Sequence, residues 1–566
     1  HPNFLREAER LATFHQTKEA SPRRVQIVTP EQVYNEFSSG AQDVTAIRDF
    51  MRMLYQRAGA NWQDMPRYLL LFGDASYDYK DRLSENTNYV PTYESLESLT
   101  PTISYASDDY YGLLDPNEGE WASSSSDALD VGIGRFVVRT AEDARVCVDK
   151  IYRYEELDIA DLQTEHVCAD GTTVTTAPDW RNRVVFVADD EDSNMHLNQA
   201  DQLAELVDTM YPEYNITKIY LDAYVQESTP GGQRYPEVST AFNSEVNRGN
   251  LLVNYTGHGG ELGLTHERVL GISDINSWSN SSNLAAFVTA TCEFTRYDDP
   301  SRISAGELVH LNPDGGAIAL FTTSRLVYSA PNFTLNRNFY LNLLSEQPWG
   351  PPTMGDVIRM TKVASGGSVN NRNFLLVGDP AQRLAFPLHG VETTSINGQD
   401  INAFTDTINA LQLVTISGRM KNRNGQSMSD FNGVVYPTVF DKSTEVSTLG
   451  NDPGSSVRQF SVQKNLIYKG KATVENGEFS FSFVVPRDIA YNYDIGRISY
   501  YAEGEGTNAN GYFEDFVIGG SNDNAALDEV GPTIGLYMND ESFAFGGTTD
   551  ENPTLLAVVS DSNGIN

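Results

Sequence analysis

Five short apolar runs set the terms for what this chain can fold into: RYLLLFGD (Arg67–Asp74), RVVFVADD (Arg183–Asp190), NLLVNYTG (Asn250–Gly257), AAFVTATC (Ala285–Cys292) and GAIALFTT (Gly316–Thr323). Runs this short and this continuously apolar, ended by small or polar residues, suit strands buried on both faces. Helix-like stretches lie between them, among them NQADQLAELVDTMY (Asn198–Tyr211) and SAGELVHLN (Ser304–Asn312). Strand alternating with helix specifies an α/β fold with a mostly parallel sheet. Residues 1–175 read as an N-terminal α/β subdomain and 176–390 as the subdomain that carries the chemistry. After about residue 390 the texture changes. LQLVTISGRM, GVVYPTVFDK, GEFSFSFVVP and RISYYAEG are rich in β-branched and aromatic residues, with Gly, Asn and Asp between them and no helical period. This predicts an all-β, immunoglobulin-like sandwich over 391–530. A further β module begins near Gly531 and is cut off at 566. There is no internal repeat, and Ser123–Ser126 reads as a loop tip.

The chemistry starts from two of the strand ends. His258 stands in Thr256-Gly257-His258-Gly259-Gly260, just after one run, and Cys292 ends the next. Ligands of open α/β sheets bind beyond the carboxyl ends of the strands, and consecutive strands commonly lie side by side. Glycines leave the imidazole uncovered and let a ligand come close. A thiol attacks well only as thiolate, and a neighbouring imidazole takes its proton and later delivers one to the leaving group. On this reading Cys292 is a nucleophile and His258 its general base and acid. The backbone N–H groups of Gly259 and Cys292 form an oxyanion hole, while Gly257 and Thr291 border the substrate. Spacing alone leaves a plainer reading open, because a strand-end Cys is commonly core and a turn His commonly surface. Cys147, in helix-like EDARVCVDKIYRYEEL, reads as core. Cys168 lies in a polar segment with no base nearby.

Acidic residues outnumber basic ones 77 to 40, for a formal net charge of −37. Nucleic acid, which needs a basic footprint, is excluded as a partner. The carboxylates suit a well-solvated surface and, in places, divalent cations. Asp74, Asp78 and Asp81 in GDASYDYKD, with Asp108 and Asp109 in SDDYY, offer oxygen ligands for structural calcium, although their spacing matches no EF-hand. The Cys–His chemistry itself needs no cofactor. The three cysteines cannot all pair and match no zinc pattern. No run of about 20 apolar residues spans a bilayer. HPNFLREAER lacks a signal-peptide core and VSDSNGIN stops in mid-pattern, so the chain reads as part of a longer protein.

NYTGHGGELGLTHERVL followed by AAFVTATCEFTRYDDP resembles the active-site region of the gingipain-type cysteine peptidases. FGDASYDYKD, ASDDYYGLLD, DALDVGIGRFVVRTAEDA, WRNRVVFVADDEDSN, GGAIALFTTSR and NFLLVGDPAQRLAFP fit the same pattern, so the resemblance spans nearly all of residues 20–390. It is nearest to the type IX secretion sortase branch, whose β-rich modules GPTIGLYMNDESFAFGG and SDSNGIN also resemble. The resemblance implies a caspase-like catalytic domain with His258 and Cys292 as its dyad. It implies a carboxylate that orients the His from Ala188-Asp189-Asp190-Glu191-Asp192, with Glu191 aligning best and Asp190 second. It sets a neutral Asn194 where arginine-specific members carry an acidic S1 residue, which removes the basis for a basic P1 preference. It implies calcium binding as well. As activity it implies removal of a C-terminal signal domain from protein cargo through a Cys292 thioester, then transfer to an amine on anionic lipopolysaccharide. The setting would be the cell surface, after secretion through the envelope, beside an outer-membrane barrel partner. His266-Glu267 reads as a surface pair near the cleft. A plain endopeptidase and a non-catalytic adhesin on a peptidase fold are the rival readings.

Overall fold

The computed structural model describes residues 1–18, 22–119, 127–156, 165–168, 171–345, 350–504, 506–522, 531–551 and 553–560. The serine-rich stretch 123–126 and the tail 561–566 lie outside them. All five apolar runs become strands of one eight-stranded sheet. Its members are Tyr68–Phe72 (β1), Gly132–Phe136 (β2), Arg183–Ala188 (β3), Asn215–Tyr220 (β4), Leu252–Thr256 (β5), Ala285–Ala290 (β6), Ala317–Thr323 (β7) and Phe374–Val377 (β8). They lie in the order β1-β2-β8-β7-β6-β5-β3-β4. Only the β7–β8 pair is antiparallel. The sheet is therefore two parallel blocks, three strands and five, running in opposite directions. β8 joins the block of β1 and β2, so residues on both sides of the expected division at 175 build the same sheet.

Every position of β5, β6 and β7 is buried. Side chains alternate between faces along a strand, so this sheet is covered on both. Helices Met195–Met210 (α2) and Ala305–Leu311 (α3) occupy the predicted places, and Ala141–Glu156 (α1) carries Cys147. α3 starts on a capping box, in which Ser304 N–H donates to Glu307 Oε2 at 2.7 Å. β2 was not foreseen as a strand because GIGRF lacks an apolar run. Its glycines answer to packing: a Cβ on Gly134 would stand 2.4 Å from the Gly378 carbonyl oxygen. Its Arg135 is fully buried, with Nη2 2.7 Å from Asp108. Among the described residues no helix is long and apolar enough to cross a membrane.

The chain divides into two compact units, His1–Phe386 with Val446–Phe460, and Pro387–Glu445 with Ser461–Asn566. The first unit thus takes in a segment from inside the expected 391–530 module. Asn451 N–H donates to Asp222 Oδ1 at 2.7 Å, and Ser456 N–H to Asn194 Oδ1 at 2.8 Å. In the second unit the four predicted runs are strands, beside three that pair with them: His389–Ile396 (β9), Leu413–Lys421 (β10), Gly433–Phe440 (β11), Leu466–Lys469 (β12), Glu478–Val484 (β13), Arg497–Gly504 (β14) and Thr507–Phe513 (β15). These form the spine of a nine-stranded sheet ordered β12-β11-β14-β15-β9-β10-β13. β9 is the joint: it pairs antiparallel with β10 and, at His389 and Gly390, parallel with β15. Val391, Ile396, Val414, Ile416, Val435, Phe481 and Tyr500 are among the residues of its core. Beyond Gly531 the described residues form one antiparallel pair, Thr533–Met538 with Leu555–Ser560.

Candidate functional site

β5 and β6 are parallel neighbours with Thr256 opposite Ala290. His258 and Cys292 each stand two residues past that pair. The sheet therefore delivers both to the same edge, at the carboxyl ends of adjacent strands. Gly257 N–H donates to the Ala290 carbonyl at 3.4 Å and ties the two ends together. A Cβ on Gly257 would stand 2.3 Å from Asp189 Cβ, and one on Gly259 2.7 Å from Thr291 Oγ1. These glycines are thus required by close approach from both sides, beyond any exposure they give the ring. Thr291 and Gly257 are buried, Thr291 at 1% exposure. They support the turn from beneath rather than line an open cleft.

The His258 ring is 36% exposed, and carboxylates hold it in place. Asp192 Oδ2 lies 3.1 Å from Nε2, and Glu191 Oε2 3.5 Å from the same atom. The backbone is held too: His258 N–H donates to Asp189 Oδ2 at 2.7 Å, and Tyr255 OH to the His258 carbonyl at 2.5 Å. Glu191 is shared, since its Oε1 takes His266 Nδ1 at 2.6 Å, and the His266 ring stacks on His258 with centroids 5.4 Å apart. Asp192, Ser193 and Asn194 have φ of 57°, 58° and 66°. Three successive left-handed non-glycine residues cost on the order of 1 kcal/mol each. That strained turn swings Asp192 toward the His258 ring and opens α2.

Cys292 is half-buried. Its Sγ makes contacts of 3.5 Å with the N–H and the carbonyl of Val327. No hydrogen bond joins it to His258 among the described residues. Burial pushes the thiol above its usual pKa; the Val327 N–H opposes this and Glu293 adds to it. The other two cysteines are buried and free: Cys147 Sγ lies 3.5 Å from His310 Nδ1, and Cys168 Sγ accepts from Asn247 Nδ2 at 3.4 Å.

This arrangement can be set against known proteins. The model of peptidase family C25 matches residues 1–385. The chain belongs to peptidase family C25. The C25 chain is 26% identical over 251 residues to gingipain R2 of Porphyromonas gingivalis, covering 44% of this chain and 26% of that protein. It has the same identity and coverage of itself against gingipain R1 of Porphyromonas gingivalis, spanning 19% of that protein. It therefore spans about a quarter or less of the length of these relatives. Among solved structures it is similar to the Arg-specific cysteine proteinase gingipain R (RGPB), at 18% identity and a TM-score of 0.48, covering 91% of this chain and 94% of that one. It is also similar to dimeric latent PorU from Porphyromonas gingivalis, at 26% identity and a TM-score of 0.39, covering 96% of this chain and 45% of that one.

Several predicted residues of the C25 chain fall elsewhere than expected. Asp190 does not face His258; it is buried and its Oδ2 accepts from Tyr235 OH at 2.5 Å. Of the acidic run, Asp192 is nearest to the ring and Glu191 second. Asn194 is 1% exposed and its Oδ1 is taken by Ser456, so it anchors a chain segment instead of lining a P1 pocket. Glu267 is no surface residue at 2% exposure, whereas the His266 side chain is 68% exposed. The carboxylates expected for calcium have protein partners. Asp108 pairs with Arg135, Asp109 accepts Lys362 Nζ at 2.6 Å, Asp74 lies 2.9 Å from Arg139, and Asp78 accepts the N–H groups of Arg82 and Leu83. The sequence gives His196 no role, and Asp189 enters only as one of the acidic run. Only the periodicity of α2, which turns His196 inward, hints at the first.

Proposed function

We propose that the chain is a cysteine endopeptidase with Cys292 as nucleophile and His258 as general base and acid. The observation that carries this is the register of β5 and β6, which sets both residues two positions beyond one paired step of the sheet. Membership of family C25 supports it. The thiol proton leaves as sulfur bonds to the scissile carbonyl carbon, and His258 receives it. Asp192 stabilises the imidazolium that results, with Glu191 beside it. The amides of Gly259 and Cys292 receive the developing oxyanion. His258 then protonates the leaving amine and a thioester remains on Cys292.

Water or a second amine can open that thioester. The finer reading is transfer: the C-terminal signal domain of a cargo protein leaves, and the new carboxyl end passes to an amine on surface lipopolysaccharide. What supports it is the motif resemblance to the type IX secretion sortases, and the cell-surface setting and barrel partner rest on the same resemblance. We read the first unit as caspase-like. We read the second as immunoglobulin-like, on its run of largely antiparallel strands with no α-helix among its described residues.

The test is product analysis by mass spectrometry with a signal-bearing cargo, with and without a glycine peptide as acceptor. Cleavage that vanishes in Cys292→Ala supports the peptidase, and an amine-linked product from the intact enzyme supports transfer. Cleavage without conjugate leaves a hydrolase. Cleavage that persists in Cys292→Ala removes the proposal.

A further inference from the structure

Beside the dyad, three potential ligands converge. Asp192 Oδ2 lies 3.1 Å from His258 Nε2 and 3.2 Å from His196 Nε2, and the three ligand atoms all lie within 4.8 Å of one another. Ligands at about 2.0–2.1 Å from a tetrahedral zinc ion are separated from one another by about 3.3 Å. Two of the three spacings already match that edge, and a short movement of the imidazoles supplies the third. Glu191 stands 3.5 Å from the same His258 nitrogen and can complete the shell. Two imidazoles with carboxylates make a nitrogen–oxygen donor set, which suits zinc and not the all-oxygen preference of calcium.

His196 has no role in the acid–base cycle above, yet it is held here. It is 5% exposed, its Nε2 hydrogen-bonds to Asp192, and among the described residues its buried Nδ1 meets no hydrogen-bond partner. Its ring packs edge-on against His258 with centroids 5.1 Å apart.

We propose that Asp192, His196 and His258, with Glu191 beside them, form a site for a zinc-class divalent cation, and that its occupancy withdraws His258 from proton transfer. The binding half stands on this geometry alone. The inhibitory half rests on the cysteine peptidase reading. The cation takes the lone pair of each imidazole Nε2, with the ring's one proton carried on Nδ1, and needs no redox partner.

The experiment is calorimetric titration of the full chain with Zn²⁺, together with the absorption spectrum of the Co²⁺ form. One ion per chain is expected, with the affinity unchanged within about threefold in Cys292→Ala. His196→Gln should weaken it about 10–100-fold, a loss of the size seen when ligand-shell groups are changed. Asp192→Asn, at an exposed position, should weaken it comparably and serves if the buried His196 variant does not fold. The Co²⁺ form should lack a thiolate charge-transfer band. Wild-type affinity in both variants, or a charge-transfer band lost in Cys292→Ala, overturns the site. In the cleavage assay the zinc inhibition constant should shift in the variants by the same factor as the calorimetric one. Binding that shifts while inhibition does not overturns the inhibitory half. A chain that binds zinc but cleaves nothing retains the metal site and loses the peptidase reading.

Discussion

Two cysteine–histidine neighbourhoods of the first unit differ in the property that matters. Cys147 and His310 touch, at 3.5 Å, in full burial. Burial pushes the Cys147 thiol up to about 12. It pulls His310 down to about 3, with Lys150 adding to the effect. Lys150 Nζ donates to the His310 carbonyl at 2.6 Å, and its own pKa is brought down to about 7. A thiol and an imidazole held this firmly neutral cannot exchange a proton, and no substrate reaches them. No hydrogen bond joins Cys292 and His258 among the described residues, yet each is partly exposed at a strand end, and carboxylates face His258. Contact between the two residue types is thus not what marks the proposed site. Access and a partner for the imidazolium charge separate the two sites.

The largest expected effect is on turnover. Cys292→Ala should reduce peptide cleavage at least about 10³-fold, while Cys147→Ala leaves kcat/KM within about twofold. A well-folded Cys147→Ala enzyme without activity would erase the distinction. Next come the histidines. His258→Ala should lower kcat about 10²–10⁴-fold with an unchanged melting temperature. His310→Ala should do the reverse, sparing kcat and lowering the midpoint by several degrees, as loss of a buried ring does. Activity profiles and thermal melts of the two variants report this directly.

A smaller effect discriminates between the carboxylates. Asp192→Asn should lower kcat about tenfold and Glu191→Gln less, following their distances from His258 Nε2. The opposite order in steady-state kinetics would restore Glu191, the residue that alignment favours. The smallest effect is on stability. Burial, with Asp190 adding, pushes the Glu267 carboxyl from 4.5 to about 7. A folded-state pKa above the unfolded one means the folded chain holds that proton more tightly. The stabilisation is complete below about pH 4.5 and is lost as pH rises through about 7. Glu267→Gln should therefore flatten the fall in melting midpoint between pH 5 and 8. An equal fall in the variant and the wild type would contradict it.

The strands that were readable are those whose burial is written as apolar runs, and β5, β6 and β7 are buried throughout. β2 escaped because its burial is met by glycines at close backbone contacts and by an arginine whose charge is matched by Asp108. β4 escaped as a half-buried edge strand without a continuous run. At the site, His258 and Cys292 could be placed by position relative to the strands alone. The carboxylate could not: in Asp189-Asp190-Glu191-Asp192 the choice is made by the left-handed turn that begins at Asp192, and composition carries no trace of that turn. Asn194 was misjudged for a related reason. Its partner Ser456 is 262 positions away, and no local pattern connects them.

The most direct measurement is covalent trapping with a peptidyl acyloxymethyl ketone on the native chain, followed by peptide mapping of the adduct. The structure predicts a single modified residue, Cys292, with labelling that slows sharply in His258→Ala, and modification of Cys147 and Cys168 only after denaturation. An adduct on Cys147 in the folded protein, or labelling of Cys292 at the same rate with and without His258, would contradict the account.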